Sequence, residues 1–363
     1  PTKSDHLRRR PSFTRLQDKE GCGIQAVGPN SFRFLSVLGR GSFGEVFHVA
    51  HKVSGQVFAM KVLRKSKIMS KNLIRYALTE RNLLSYIRHP FIVRMHYAFQ
   101  TPSSLVLVLH YCSGGNLSAL LLREGGPGGG LSEALARLYV AEVLLALEHL
   151  HERKVVYRDL KPENVVLDGD GHAMLTDFGL SKEGVAGRTS GTKSFCGSVA
   201  YLAPEILARS GHGPAVDLYG LGVLLYEVLA GQPPFYSPDR EALFRNISAA
   251  TLHAPAKASK RASQLIFALM QRDPEKRLGN RNTSEVRSHS FFAGLDFEKV
   301  LRREVSVPQF RRHQLPGVDS VVQNTAVAKV ASPFEGRLEA QVRRSWSSTS
   351  QDVEGWDFSS GAD

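Results

Sequence analysis

The apolar pattern of this chain changes period partway along one continuous hydrophobic stretch, and that change restricts the fold more than any other feature. From Phe32 to about Phe292 the apolar content is unbroken. Its first third carries strand-length runs, Phe32 to Leu38, Val57 to Leu63 and Leu105 to Tyr111, separated by turn chemistry such as Val53-Ser54-Gly55. The rest is helical in period. Residues 132–151, with Leu135, Leu138, Ala141, Leu144, Leu145 and Leu147, are apolar on nearly every face, which predicts a buried helix. A strand-rich lobe followed by a helical lobe predicts an α+β fold with a cleft between its parts. Residues 1–31 are polar and read as a flexible basic arm. Residues 293–363, irregular and rich in Ser, Val and Arg, read as a tail without its own core.

With 363 residues and 42% hydrophobic composition, the chain can build a core of two lobes. No run approaches the roughly 18 consecutive apolar residues of a membrane-spanning helix, and the start lacks a secretory apolar region. The first residue is Pro1 rather than Met, as in a fragment or a processed product. Cys22, Cys112 and Cys196 are three and widely spaced, neither a disulfide framework nor a zinc site, so we expect a reducing intracellular compartment. The net charge of +13 is dispersed and accompanied by no nucleic-acid motif, so no specific nucleic-acid binding is expected.

Three motifs carry chemistry. Gly39-Arg40-Gly41-Ser42-Phe43-Gly44-Glu45-Val46 follows an apolar strand, and glycines let backbone N–H groups approach phosphate oxygens. A second strand follows it, where a dinucleotide fold requires a helix. Next, Val57-Phe58-Ala59-Met60-Lys61 alternates so that Ala59 and Lys61 share a face, with Glu80 in the following helical segment, 72–86, as the carboxylate that would hold the ammonium. Third, Asp159, Lys161 and Asn164 stand in Val156-Tyr157-Arg158-Asp159-Leu160-Lys161-Pro162-Glu163-Asn164, followed by Thr176-Asp177-Phe178-Gly179. They supply a carboxylate base, a cation and two hard oxygen ligands of the kind Mg²⁺ shares with phosphates.

Taken in order, with Ala203-Pro204-Glu205 downstream, these residues resemble the protein kinase superfamily over residues 32–292. The Tyr-Arg-Asp form, Phe195-Cys196-Gly197 and the tail are similar to the AGC group, nearest its ribosomal S6 kinase, serum-regulated kinase and protein kinase B types. The resemblance implies a bilobal fold, with a small antiparallel N-lobe sheet bearing one main helix and a larger helical C-lobe. It implies transfer of the γ-phosphoryl group of Mg²⁺-ATP to serine or threonine of protein substrates. Asp159 would take or orient the hydroxyl proton, Lys161 neutralise charge, Asn164 and Asp177 hold the metal, and Lys61 grip phosphates while paired with Glu80. Leu38, Val46, Ala59, Leu109, Val166 and Thr176 would line the adenine slot, with His110-Tyr111-Cys112 as the hinge. A pseudokinase scaffold of the same fold is the alternative, although such proteins usually lack one of the residues present here.

Regulatory positions follow from the same resemblance. Ser194 matches the activation-loop phosphosite of an upstream kinase, with Arg158 and Lys182 placed to pair with its phosphate; Tyr76 stands where a His is common. Ser198 occupies the Thr position facing Asp159. Glu205 should pair with Arg277, and Asp217 should cap the catalytic loop. Glu163 and Glu227 would read arginines of the substrate, while Asn116 replaces a usual Glu, which would relax that preference. Val353-Glu354-Gly355-Trp356-Asp357-Phe358 resembles the hydrophobic motif that docks on the N-lobe in cis, with Asp357 at the usual phosphorylated position. Ser332 and Ser12 are further candidate phosphosites, and Cys196 is either a redox-sensitive thiol or an inert one. The implied location is cytoplasmic, with a nuclear pool as an alternative.

Overall fold

The computed structural model describes residues 27–41, 43–70, 73–125, 129–185, 187, 191–192, 194, 196–307 and 352–360. Chain order begins with three antiparallel strands, β1 (Phe32–Arg40), β2 (Gly44–His51) and β3 (Val57–Arg64), then two helices, α1 (Lys65–Ser70) and α2 (Ile74–Tyr86). Strands β4 (Met95–Gln100) and β5 (Ser104–His110) complete a sheet that runs β1-β2-β3-β5-β4. The period-two rule explains its layers. Phe58, Met60 and Val62 of β3 join Phe32, Phe34, Phe47 and Phe99 in a core on one face, and Leu63 joins α2 on the other. Central β5 is buried on both faces, Val106 and Val108 on one side and Leu105, Leu107 and Leu109 on the other, which is why its run shows no polar alternation.

Helix α2 buries Ala77, Glu80, Leu83 and Leu84 against the sheet. It starts at Ile74 rather than at residue 72; Leu73 at the N-cap offers no capping side chain, and Lys71 and Asn72 lie outside the described residues. Its neighbours rather than a strong start signal therefore hold it.

The helical lobe contains β6 (Gly115–Asn116), α3 (Leu117–Glu124), α4 (Glu133–Glu152), the hairpin of β7 (Val165–Leu167) and β8 (Ala173–Leu175), then α5 (Pro204–Leu207), α6 (Ala215–Ala230), α7 (Arg240–Ala249), α8 (Lys260–Leu269) and α9 (Phe297–Leu301). Helix α4 is the buried helix expected over 132–151. Ser132 caps it, its Oγ accepting from the Leu135 N–H at 3.4 Å, and fourteen of its residues are buried. Helix α6 crosses it, buried nearly all round, and stops at Gly231, whose φ of 80° only glycine adopts cheaply. Arg277 and Glu205 tie this lobe together through two bonds of 2.7 and 3.0 Å at a fully buried guanidinium.

Two stretches of the expected tail belong to the packed structure. Phe297, Val300 and Leu301 recur at helical spacing, Asp296 caps them by accepting from the Glu298 and Lys299 N–H groups, and the resulting α9 packs on α4 with Val300 buried. At the far end, β9 (Phe358–Ser359) adds to the sheet beside β4, Tyr97 opposite Ser359 and Ala98 opposite Phe358. Trp356 is wholly buried there and Val353 nearly so. Among the described residues no helix is long and apolar enough to cross a membrane.

Candidate active site

Two of the five non-glycine residues with positive φ among the described residues stand at the site. Arg158 has φ 69° and Asp177 has φ 59°, the left-handed region that non-glycine residues avoid unless their surroundings impose it. For Arg158 the cause is visible. The buried Asp217 carboxylate of α6 accepts from the N–H groups of Tyr157 and Arg158, each at 2.8 Å, and from His151 Nε2 at 2.8 Å. Asp217 thus caps this loop as expected.

Above that loop, β3 points Lys61 into the cleft. Its ammonium donates to Glu80 Oε1 at 2.8 Å and Oε2 at 3.0 Å, and also to Asp177 Oδ1. Burial alone would depress the lysine, but the two carboxylates outweigh it and raise its pKa. Asp177 is held below its usual value chiefly by Lys61, while burial pushes Glu80 up. The lysine is therefore charged at any physiological pH, bridging α2 to the segment after β8.

Below, Asp159 is clasped from three sides. Its Oδ1 accepts from Ser198 Oγ at 3.0 Å, and its Oδ2 accepts from Lys161 Nζ at 3.0 Å and Asn164 Nδ2 at 2.8 Å. Asn164 also donates to the Asp159 carbonyl at 2.8 Å. Its NH₂ group is thereby committed to Asp159, and its amide oxygen remains as the group suited to a hard cation. Among the described residues no cluster of three or more His, Cys, Asp or Glu forms a metal centre.

Lys61, Glu80, Asp159, Lys161, Asn164 and Asp177 border one cleft of about 450 Å³, which Phe43, Tyr76 and Cys196 also line. Leu38, Val46, Ala59, Leu109, Val166 and Thr176 do not line it. They sit in the adjoining strands and the β7–β8 segment: Ala59 lies directly opposite Leu109, Val46 opposite Lys61 and Gly39, and Thr176 donates its N–H to the Asn164 carbonyl at 3.0 Å. At the connection between lobes, Tyr111 stacks on His48 with ring centroids 4.1 Å apart. Cys112 packs on Met174, and burial pushes its thiol up to about 12.

The glycine turn has two physical reasons rather than one. A Cβ on Gly44 would lie 1.9 Å from the Val62 carbonyl oxygen, so that glycine permits β2 to approach β3. A Cβ on Gly39 would meet nothing within 4 Å and one on Gly41 only the Gly44 carbonyl oxygen at 3.8 Å, so at those two positions the phosphate argument for an uncluttered backbone applies. Arg40 and Glu45 pair with each other at 3.2 Å across the hairpin, and Ser42 lies outside the described residues.

Arg158 Nη1 donates to Ser194 Oγ at 2.5 Å, whereas Lys182 is exposed and is tied to Val156 through its backbone. Cys196 Sγ lies 3.8 Å from Ser194 Oγ. Tyr76, in place of the common His, accepts from Arg75 Nη2 at 2.9 Å. Ser12 and Ser332 lie outside the described residues. Glu227 accepts from Tyr201 Oη and is pushed up by burial, with the Glu163 charge adding to that shift. Asn116, where a Glu was usual, caps α3 by accepting from the Ala119 N–H at 2.8 Å.

Sequence reasoning missed the contacts that seat the tail. Gln100 binds the Val353 backbone in both directions, at 2.8 and 3.0 Å, and Arg81 of α2 donates to the Trp356 and Asp357 carbonyls at 2.9 and 2.7 Å. Tyr201 was missed too, although its place just before Ala203-Pro204-Glu205 was a usable signal.

The protein kinase domain family matches residues 32–292. "Protein kinase 2" of Dictyostelium discoideum is 43% identical over 315 residues, covering 87% of this chain and 64% of the relative. The "RAC family serine/threonine-protein kinase homolog" of the same organism is 44% identical over 284 residues, with 78% and 63% covered. A "Putative ribosomal protein S6 kinase alpha-1" of Caenorhabditis elegans is 45% identical over 298 residues, with 81% and 37% covered. The chain thus spans less than two thirds of the length of each of these curated relatives. At such identity across the whole cleft-bearing region, the chain belongs to the protein kinase family, within its AGC group.

Proposed function

We propose that this chain transfers the γ-phosphoryl group of ATP to serine or threonine hydroxyls of protein substrates, with Mg²⁺ as cofactor. The observation that carries the reading is the joined state of the cleft: Lys61 is already paired with Glu80, and Asp159 is already aimed between Ser198 and Lys161. The residues fit the metal. Asp177 presents a carboxylate that is 49% exposed toward the cleft and Asn164 an uncommitted amide oxygen. Two protein oxygens, completed by phosphates and water, are the usual protein share for this ion. Bound there, Mg²⁺ would neutralise charge on the phosphates.

The remaining roles fall to the chain's own groups. Asp159, its orientation set by Ser198, Lys161 and Asn164, receives the proton of the substrate hydroxyl as its oxygen bonds to phosphorus and the bond to the β-phosphate oxygen breaks. The Lys161 ammonium lies beside that carboxylate, where it offsets charge on the moving group. Lys61 holds the α- and β-phosphates. Leu38, Val46, Ala59, Leu109, Val166 and Thr176 form the adenine slot, with Tyr111 and Cys112 at its edge.

Glu163 and Glu227 support a preference for arginine beside the phosphoacceptor, since each lies within the other's field and the Tyr201 hydroxyl fixes Glu227. The Asn116 side chain is engaged by α3, which supports a relaxed arginine requirement at its subsite. Phosphate on Ser194 would meet the Arg158 guanidinium already bonded to it. The segment 352–360 acts as a cis-docked regulatory tail joined to α2. Its docking bonds use the Val353 N–H, the Val353, Trp356 and Asp357 carbonyls and the indole, while the Asp357 carboxylate adds an attraction for Arg81.

The test is ³²P transfer from Mg²⁺-ATP to a serine peptide library with arginine varied by position. Transfer enriched in arginine-bearing peptides supports the proposal; transfer indifferent to arginine refutes the role of Glu163 and Glu227, and no transfer favours the scaffold reading.

A further inference from the structure

Away from the cleft, α5 and α7 border an open groove of about 750 Å³. Its floor is apolar, formed by Pro204 and Leu207 of α5 and Phe244 of α7, and Arg209, Arg240 and Arg245 stand along it. No carboxylate is among the described residues that line it. The Arg240 guanidinium lies over the Phe244 ring, 5.3 Å from its centroid, so it is held above the floor. Arg245 reaches Asp239 and Glu241 at 3.8 and 3.9 Å, but all three side chains are well exposed, and such pairs give way readily to a better-placed anion.

Position adds to this chemistry. Ser198, bonded to Asp159, is separated from α5 by a single short turn, so one segment of chain runs from the Asp159 carboxylate to the groove. The carboxylates of Glu163 and Glu227 lie within each other's field and carry the opposite charge, and Glu227 is bonded to Tyr201 of the same short turn. Residues 198–209 thus meet Asp159 through Ser198, Glu227 through Tyr201 and the basic groove through Pro204, Leu207 and Arg209.

We propose that the groove docks an acidic, apolar-containing segment of the protein substrate, separate from the basic stretch around the phosphoacceptor. The inference rests on the kinase reading above and adds a second substrate element to it. Guanidinium groups around an apolar floor suit a segment in which Asp or Glu alternates with Leu or Phe. A nucleic-acid backbone offers the charge without apolar groups to cover Leu207 and Phe244. A tethered segment seated there raises the local concentration of the hydroxyl at Asp159 without any new contact in the cleft.

Two peptides test this. Both carry one arginine-containing serine core; one adds a Glu/Leu/Phe segment through a flexible linker of about 10 residues, whose span is roughly 15–20 Å. The extended peptide should show a KM about tenfold lower than the core peptide on the parent protein. Arg240→Gln/Arg245→Gln and the charge-reversed Arg240→Glu/Arg245→Glu should abolish that gain while leaving the core peptide's kcat and KM within twofold. In parallel, anisotropy of the fluorescein-labelled Glu/Leu/Phe segment alone should report binding to the parent, weakened by added salt and lost in both variants. Equal KM values for the two peptides on the parent would overturn the proposal, as would a gain that survives both variants. If neither peptide is phosphorylated, the kinase reading fails, and the anisotropy still decides the groove: binding lost in both variants upholds it, and absent or unchanged binding overturns it. Displacement of the labelled segment by duplex RNA but not by its unlabelled form would also overturn it.

Discussion

Replacing Trp356 by Ala should release the docked tail, and the structure says by how much. The indole is completely buried between the sheet and α2's side of the lobe, and its Nε1 donates to the Phe99 carbonyl at 3.0 Å and the Val106 carbonyl at 3.3 Å. Truncating a buried Trp to Ala costs roughly 3–5 kcal/mol, which at about 1.4 kcal/mol per tenfold shifts the docking equilibrium by roughly two to three and a half decades. Asp357→Ala is the informative companion. Arg81 bonds the Asp357 carbonyl, which survives the change, and the lost carboxylate attraction is exposed and worth roughly 0–1 kcal/mol. Hydrogen exchange reads both. The Ser360 N–H, bonded to the His96 carbonyl at 2.8 Å, and the paired amides of β4 and β9 should exchange at least a hundredfold faster in Trp356→Ala and within about fivefold of the parent in Asp357→Ala. Because Arg81 sits one residue from Glu80 on α2, kcat/KM should fall about tenfold in the Trp variant. Unchanged exchange in Trp356→Ala, or equal loss in both variants, would refute the reasoning.

Other outcomes follow from the same geometry. Arg277→Ala leaves the Glu205 carboxylate buried without its bidentate partner, so urea unfolding should show a loss of about 3–5 kcal/mol. Glu227 is raised above the usual carboxylate range by burial, so it takes up its proton at a higher pH than an exposed Glu as the solution is acidified. KM for arginine-bearing peptides should therefore rise on lowering the pH before KM for peptides lacking arginine does, and Glu227→Gln should flatten that difference.

Much of the site was legible because its residues are close in sequence and chemically specific. Asp159, Lys161 and Asn164 fall within six residues, and Asp177 follows one hairpin later. The Lys61–Glu80 pair was legible from strand alternation and a helical neighbour, and Glu205–Arg277 from the resemblance alone. What the chain's local pattern hides is any feature completed by a distant partner. Strand β9 is two residues long and exists only because β4 offers an open edge. Gln100 and Arg81 look like ordinary surface residues until residues 352–360 arrive at them. The role of Gly44 depends on a Val62 carbonyl in another strand, and α9 is too short to read as a helix until α4 covers Val300. The start of α2 was misplaced because no capping side chain marks it.

The central claim is that Asp159 and Lys61 perform phosphoryl transfer in this cleft, and it is tested most directly by measuring ³²P transfer from Mg²⁺-ATP to an arginine-bearing serine peptide. The parent, with Ser194 phosphorylated, should be run beside Asp159→Asn and Lys61→Met proteins shown by circular dichroism to be folded. The account predicts turnover by the parent and a loss of at least a hundredfold in each variant. Transfer that persists in either variant, or none from the parent, would contradict it.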